Sequence, residues 1–433
     1  MSFARSLCAL SLLAACIAGC GGSSSGGGSN GGGGSSATTV TFAFRGTTPT
    51  AAAAKVGSAG FTAQSLNAGA LTLSIPSGTT NFAVAFVCPP LAITSGGVQI
   101  GQTSRESVFE ATTADGTSFT EACAARLPST PTGTLSASVD ASAIANASFL
   151  TIEAQAGDSG ATASVETPAG SFSFAAPAGS DRVEAVAFSE VSQGATESFS
   201  LVGARNFSGQ AVPGALNGGN PVVLGSADQT TSAAITYNGV PSGFATPSTI
   251  AIYEMAGGGG FLIADAATSQ YPVLPAGAAE AGDSYVFESA ARNGLQTVSS
   301  FVYASAGGPV SFTFPAPWSY TGPTPAALPT LDFSYAGFAG KSGVTEAASI
   351  GWSVGTYSQN TISTIATASY QGSATTLAIP DLSGITGFFA SPPSGTQVVW
   401  LGEISQNSWG ALQAAPSNAT ANIVQNGGAY NVP

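Results

Sequence analysis

The sequence predicts an all-β protein: tandem antiparallel β-sandwich modules behind a flexible tether. Three observations carry this. Apolar residues alternate with polar or small ones in short runs, as in Val40, Phe42 and Phe44, in Leu71, Leu73 and Ile75, and in Phe82, Val84, Phe86 and Cys88. A period of two turns one face of a strand toward a core. Gly and Pro punctuate the runs, and no stretch of about 12 residues carries a helical period; Ala51–Ala54 and Pro275–Ala281 are short and broken. Finally, one pattern recurs four times.

That pattern is an apolar limb, a Pro/Gly turn and a second apolar limb. It reads GALTLSIPSGTTNFAVAFVC around Pro76, GSFSFAAPAGSDRVEAVAF around Pro177, and SQYPVLPAGAAEAGDSYVFES around Pro275. The fourth copy, TTLAIPDLSGITGFFASPPSGTQVVWLGE around Pro380, is stretched. Pro and Gly suit a tight reversal, so each copy reads as a hairpin. The turns return at intervals of about 100 residues. A second set of strands, TVTFAFRG, TLSASVDAS, AAITYNGV and LDFSYAGF, recurs near the start of each unit. The expected units are residues 37–133, 134–231, 232–328 and 329–433, with boundaries near Gly133, Thr231 and Pro329. About 100 residues with some seven alternating strands suit a β-sandwich. In style the units resemble the immunoglobulin-like or transthyretin-like modules of bacterial surface proteins. The Cys-Trp-Cys pattern of antibody domains is absent, since the first unit has no Trp.

The N-terminus gives a location. Arg5 precedes the apolar run Leu7–Ala15, too short to span a bilayer, and Ile17-Ala18-Gly19-Cys20 follows. These four residues resemble the lipobox of bacterial lipoproteins. The resemblance implies that residues 1–19 are a signal peptide and that Cys20 is acylated as the first mature residue. Gly21, in place of the Asp that retains some lipoproteins at the inner membrane, points to the outer membrane or cell surface. Residues 20–36 then form the lipidated Cys and a Gly/Ser tether, with a root-mean-square reach of about 20–24 Å.

Composition limits the partners. The net charge is −13 and only 7% of residues are charged. Nucleic acid needs clustered Lys and Arg and is not expected. Docking on anionic headgroups is not expected either. Membrane attachment therefore falls to acyl chains on Cys20, and more than one is needed for a firm hold. Cys8 and Cys16 leave with the signal peptide, which pairs Cys88 with Cys123 in an exported chain. Closing that loop stabilises the first unit by roughly 3–4 kcal/mol in the chain-entropy model. The other reading, free thiols or a metal pair, lacks a His or further Cys to complete a site.

Catalytic chemistry finds little material. With no His, Ser-His-Asp and Cys-His centres are impossible. Ser-Lys catalysis would need Lys55 or Lys341, which read as solvated lysines. Gly340-Lys341-Ser342 is not a phosphate loop, because Tyr335 stands where its first glycine belongs. Gly218–Val223 and Gly257–Gly260 read as turns. No calcium loop of the D-x-D-x-D-G type occurs, and Asp115 and Asp381 read as turn residues. No cofactor or metal is expected. Glu190, Glu288 and Glu403 follow the second limb in three units and are candidates for a glycosidase pair. Their recurrence once per unit reads instead as a strand-end surface position.

All ten Tyr and all four Trp lie after residue 236. Strand alternation marks Trp352 and Trp400 as core, whereas Trp318, Tyr320 and Trp409 are candidate ligand-binding aromatics. The expectation is a non-enzymatic, lipid-anchored envelope protein for adhesion, scaffolding or recognition of a polysaccharide or envelope protein. The alternative is a lipid-anchored hydrolase acting on carbohydrate through a carboxylate pair.

Overall fold

The computed structural model describes residues 37–67, 69–95, 98–123, 132–156, 159–193, 196–256, 260–339, 343–406 and 420–433. The protein is all-β, as the alternation predicts. Segment one holds β1 (Thr38–Gly46), β2 (Ala51–Val56), β3 (Thr62–Ala63), β4 (Ala70–Ile75), β5 (Asn81–Ser95), β6 (Val98–Thr112) and β7 (Ser118–Cys123). Segment two holds β8 (Thr132–Asp140), β9 (Phe149–Ala156), β10 (Ser159–Val165), β11 (Ala169–Pro177), β12 (Gly179–Gln193), β13 (Thr196–Val212), β14 (Gly214–Ala215) and β15 (Val222–Val223). Segment three holds β16 (Thr231–Asn238), β17 (Ser248–Glu254), β18 (Gly260–Ala267), β19 (Gln270–Val273), β20 (Ser284–Asn293), β21 (Gln296–Ala304) and β22 (Val310–Thr313). Segment four holds β23 (Thr330–Asp332), β24 (Val344–Ser353), β25 (Gln359–Thr367), the short helix α1 (Ala368–Gln371), β26 (Thr376–Ala378), β27 (Gln397–Gln406) and β28 (Thr420–Asn431). Among the described residues no helix is long and apolar enough to cross a membrane.

One 16-stranded sheet runs β10-β9-β12-β13-β18-β17-β20-β21-β28-β27-β24-β25-β6-β5-β2-β3. Each segment gives it four adjacent strands, and their order along it is two, three, four, one. Smaller sheets β4-β1-β7, β11-β8-β14 (with β15 also on β8), β19-β16-β22 and β23-β26 face it.

The recurring apolar limbs are not hairpins. β4 pairs with β1 in a small sheet, whereas β5 pairs with β2 and β6 in the long one. The same split separates β11 from β12, β19 from β20 and β26 from β27. Each Pro/Gly turn therefore arches between layers, so the two apolar limbs meet across the core instead of lying side by side. Leu71, Leu73 and Ile75 pack this way against Phe82, Val84 and Phe86. The sheets are also mixed rather than wholly antiparallel. β1–β7, β8–β14, β16–β22 and β6–β25 run parallel. In the first three, the chain crosses to the long sheet and returns to the small one in its original direction.

The cores lie on both faces of the long sheet. Segments three and four share one core, from Tyr253, Tyr271 and Phe287 through Trp318 to Trp352 and Trp400. Segments one and two have cores of their own. In segment one, Phe42, Phe82, Phe109 and Phe119 pack ring on ring with centroids 4.8–6.1 Å apart. The parallel β6–β25 ladder sets Phe109 beside Ile365 and Glu110 beside Ala366. Neighbours across a sheet share a face, so the core face of segment four continues as the back of segment one. Segment two likewise lends its back, through Val186, Phe188, Leu201 and Ala204, to the shared core.

Candidate functional site

Charged side chains are few in this chain, and two clusters of them gather at the seams between segments. At the two/three seam, Arg182 and Glu184 leave the back of β12, alternating with buried Val183 and Ala185. Arg182 donates to Asp283 Oδ1 at 2.6 Å, to Glu184 Oε1 at 2.7 Å and to the Ala278 carbonyl at 3.1 Å. Glu184 lies on segment two with Arg182, whereas Ala278 and Asp283 both belong to the arch that leads from β19 to β20 in segment three. Asp283 also accepts from Tyr253 Oη, from Ala256 N at 2.8 Å and from Glu280 N at 2.6 Å. These donors hold its carboxyl below the ordinary value even against burial. Glu184 is fully buried and one of its oxygens has no hydrogen-bond partner. Burial pushes it up to about 8, with Arg182 pulling the other way.

At the one/four seam, Lys55 on the back of β2 pairs with Glu110 of β6 at 2.8 Å. The ammonium stands 5.0 Å from the centre of the Phe61 ring and 5.6 Å from that of Tyr370. Tyr370, from α1, donates to Glu110 at 3.2 Å. Thr367 and Ser369 of segment four donate to Asp115 of segment one. The stretch between β26 and β27 crosses the seam. Leu382, Ile385 and Phe388 cover Ala53, Ala85 and Val108 on the back of segment one, and Phe389 N donates to Glu106 at 2.9 Å. This accounts for the extra length of the fourth repeat. Burial pushes Glu106 up to about 7, and the charge of Asp381 adds to the shift.

Two further carboxyls lie on the face of the long sheet opposite the shared core, on strands with β21 and β28 between them. Glu288 of β20 is pushed up to about 7, chiefly by burial, with the charge of Glu403 contributing and Arg292 opposing. Glu403 of β27 is raised by burial while accepting from Gln425 Nε2 at 2.8 Å. A group at about 7 exchanges its proton near neutrality, the property required of a general acid or base. The cavity of about 110 Å³ between β13 and β18 lies elsewhere, lined by Ser198, Phe199, Ser200, Ala264, Asp265, Ala266, Ala267 and Gln270.

The residues singled out in the sequence fare differently. Cys88 and Cys123 are joined, tying β5 to β7 across the sandwich. Trp352 and Trp400 are buried. Trp318 is not a ligand-binding face but a core residue, 2% exposed. It stacks on Tyr320 and Phe333 at 5.0 and 5.1 Å. Its ring lies so close to Gly402 that a Cβ there would meet it at 2.7 Å. Tyr320 is half-buried in the same stack, and its backbone carbonyl accepts from Asn426 at 2.6 Å. The Trp318 ring is not presented for stacking, because this inter-unit stretch straps β27 and β28 from the core side. Lys55 belongs to a strand and an ion pair, not to a solvated turn. Glu190 is exposed on β12, whereas Glu288 and Glu403 are half-buried. Cys20, the tether, Lys341 and Trp409 lie outside the described residues. The Arg182 and Glu106 clusters were missed. Their available signal was Arg-x-Glu or Glu-x-x-x-Glu placed between apolar strand residues in a chain with very little charge.

Among the described residues, no group of three or more His, Cys, Asp or Glu is placed to hold a metal ion. No protein-family model matches the chain, and no curated protein matches it.

Proposed function

We propose that this chain is a lipid-anchored, non-enzymatic component of the bacterial cell envelope, at the outer membrane or cell surface. It serves in adhesion, scaffolding or recognition of a polysaccharide or protein, and it is organised as four β-modules on a Gly/Ser tether. The observation that carries the reading is Ile17-Ala18-Gly19-Cys20, placed directly after a short apolar run and directly before the tether. The absence of His from the sequence and a sheet shared by all four segments favour a rigid display body over a catalyst. The test is the mature N-terminus. Mass spectrometry should find acylated Cys20 as the first residue, and Cys20→Ala should move the protein out of the detergent phase. A mature chain beginning elsewhere, or an unlipidated Cys20, overturns the reading.

One arrangement favours a second reading, a lipid-anchored carbohydrate hydrolase. Glu288 and Glu403 lie on the same face of the long sheet, with β21 and β28 between their strands, and burial pushes Glu288 up to about 7. On this reading Glu288→Gln and Glu403→Gln each abolish hydrolysis of a susceptible glycan. Hydrolysis that survives both substitutions rejects it.

A further inference from the structure

Two of the buried side-chain atoms that lack a hydrogen-bond partner among the described residues are Glu184 Oε2 and Asn206 Oδ1. Their residues are cross-strand neighbours. Glu184 of β12 stands opposite Asn206 of β13 and, on its other side, opposite Glu153 of β9. Paired residues share a face and set their Cβ atoms about 4.5–5.5 Å apart. The two unpartnered oxygens thus belong to one row on the back of segment two.

The other ends of both side chains are committed. Asn206 Nδ2 donates to Glu280 Oε1 and, at 3.3 Å, to Ser208 Oγ, which leaves the amide oxygen as the free end. Glu184 Oε1 accepts from Arg182 Nε at 3.1 Å and Nη2 at 2.7 Å. The groups around Glu184 hold one cation between them. Arg182, on the same strand, also meets Asp283 at 2.6 Å and Glu280 at 3.8 Å, both on the arch between β19 and β20. Tyr253 comes from β17 and donates to Asp283, and Glu153 comes from β9. Hydrogen-bond donors hold Glu280, and Asp283 against its burial, below the ordinary carboxyl value, so both are charged. One guanidinium is therefore matched twice before Glu184 is counted. Two acceptor oxygens cannot bond to each other, but a single proton between them satisfies both.

We propose that Glu184 folds as a neutral carboxylic acid whose Oε2 proton is donated to Asn206 Oδ1, and that this proton is a pH-sensitive fastener of the seam between segments two and three. Burial carries the group up to about 8, with Arg182 opposing, against an ordinary 4.5. Its contribution to the fold is complete below about pH 4.5, declines as pH rises to about 8 and stays lost above. Once ionised, Glu184 faces Glu153, Glu280 and Asp283 with only Arg182 to balance them. The seam has little else to hold it there, since β13 and β18 pair, among the described residues, at Ser200 and Ala264 alone.

The test is a pH titration of the full chain, in detergent, with carboxyl-labelled glutamate read by carbon NMR. One carboxyl resonance, absent from Glu184→Gln, should be neutral at pH 6 and titrate at about 8. Asn206→Ala removes the acceptor of the proton and should lower that midpoint by about one pH unit. Between pH 5 and pH 8, protection from hydrogen exchange over residues 275–283 should fall by roughly tenfold more in the wild type than in Glu184→Gln, whose amide donates to Asn206 at every pH. A Glu184 carboxyl already ionised at pH 6, or a midpoint indifferent to Asn206→Ala, overturns the proposal. So does protection that falls equally in both proteins. A calcium-dependent gain in melting temperature that Glu184→Gln abolishes would put a cation in the place of the proton and reject it too. Failure of Glu184→Gln to fold at pH 6 counts against it equally, because glutamine copies the neutral acid.

Discussion

The two outer seams of the long sheet solve one problem with different bonds. Where segment one meets segment four, β6 and β25 form a parallel ladder of eight residue pairs. Where segment two meets segment three, β13 and β18 pair, among the described residues, at Ser200 and Ala264 alone. The thin ladder is the one backed by a buried guanidinium with carboxylates from both segments. The full ladder carries a partly exposed Lys-Glu pair. Backbone bonding and buried charge thus stand in for each other, and the seam with less of the first depends more on the second. In both, the arch before the second long-sheet limb of one segment covers the back of its neighbour.

The largest effect should come from Arg182→Met. It leaves Glu184 and Asp283 buried without their cation, and breaking such a pair from one side costs about 3–5 kcal/mol. Hydrogen exchange should rise around residues 275–283 and in β12 well before segment one is affected. Equal exposure at both seams would show that the thin ladder does not depend on the guanidinium.

Glu106→Gln sharpens the comparison from the other seam, where the buried carboxyl faces the charge of Asp381 rather than a guanidinium. Its folded-state value of about 7 lies above the ordinary 4.5. Its contribution is therefore fully present below about pH 4.5, is lost as pH rises toward 7, and stays lost above. Gln keeps an acceptor for Phe389 N without carrying charge. The variant should melt with the wild type at pH 4.5 and above it at pH 8. A variant that melts lower at pH 8 would mean that the carboxylate is favoured in the fold.

Much of this architecture was legible in the sequence, and the gaps have physical causes. Alternation in Leu71, Leu73 and Ile75 and in Phe82, Val84 and Phe86 identifies strands and their buried faces. It is silent on whether limbs joined by Pro76-Ser77-Gly78 lie side by side or face to face, since a short turn serves both. The order two, three, four, one depends on which edge strands meet, and local patterning does not encode that. Trp352 and Trp400 declared themselves by period two. Trp318, among prolines, had no period to betray its burial. The disulfide was legible because no other cysteines remained to compete. The charged seams were hidden because their partners are 101 residues apart at one seam and 252–283 at the other, and join only through the order of segments.

Tyr253→Phe probes the strong seam more gently. It removes one hydroxyl that donates to Asp283 while leaving Arg182 and the two backbone donors in place. A hydrogen bond to a charged group contributes about 1.5–3 kcal/mol, so urea denaturation should register a loss in that range. A loss as large as that of Arg182→Met would transfer the main role from the guanidinium to the phenol.

Lys55→Met should have the smallest effect. The lysine side chain is 21% exposed and Glu110 10%. After substitution Glu110 still accepts from Tyr370, and the methionine still packs against Phe61 and Tyr370. Eight backbone pairs between β6 and β25 remain. A partly exposed pair gains less than a buried one, so the expected loss is about 1–2 kcal/mol. Combined with Arg182→Met, the two losses should add, because they fall at seams separated by segments three and four. A loss at Lys55 equal to that at Arg182 would mean that the parallel ladder needs side-chain charge as much as the thin one does, and the trade between backbone and charge would fail.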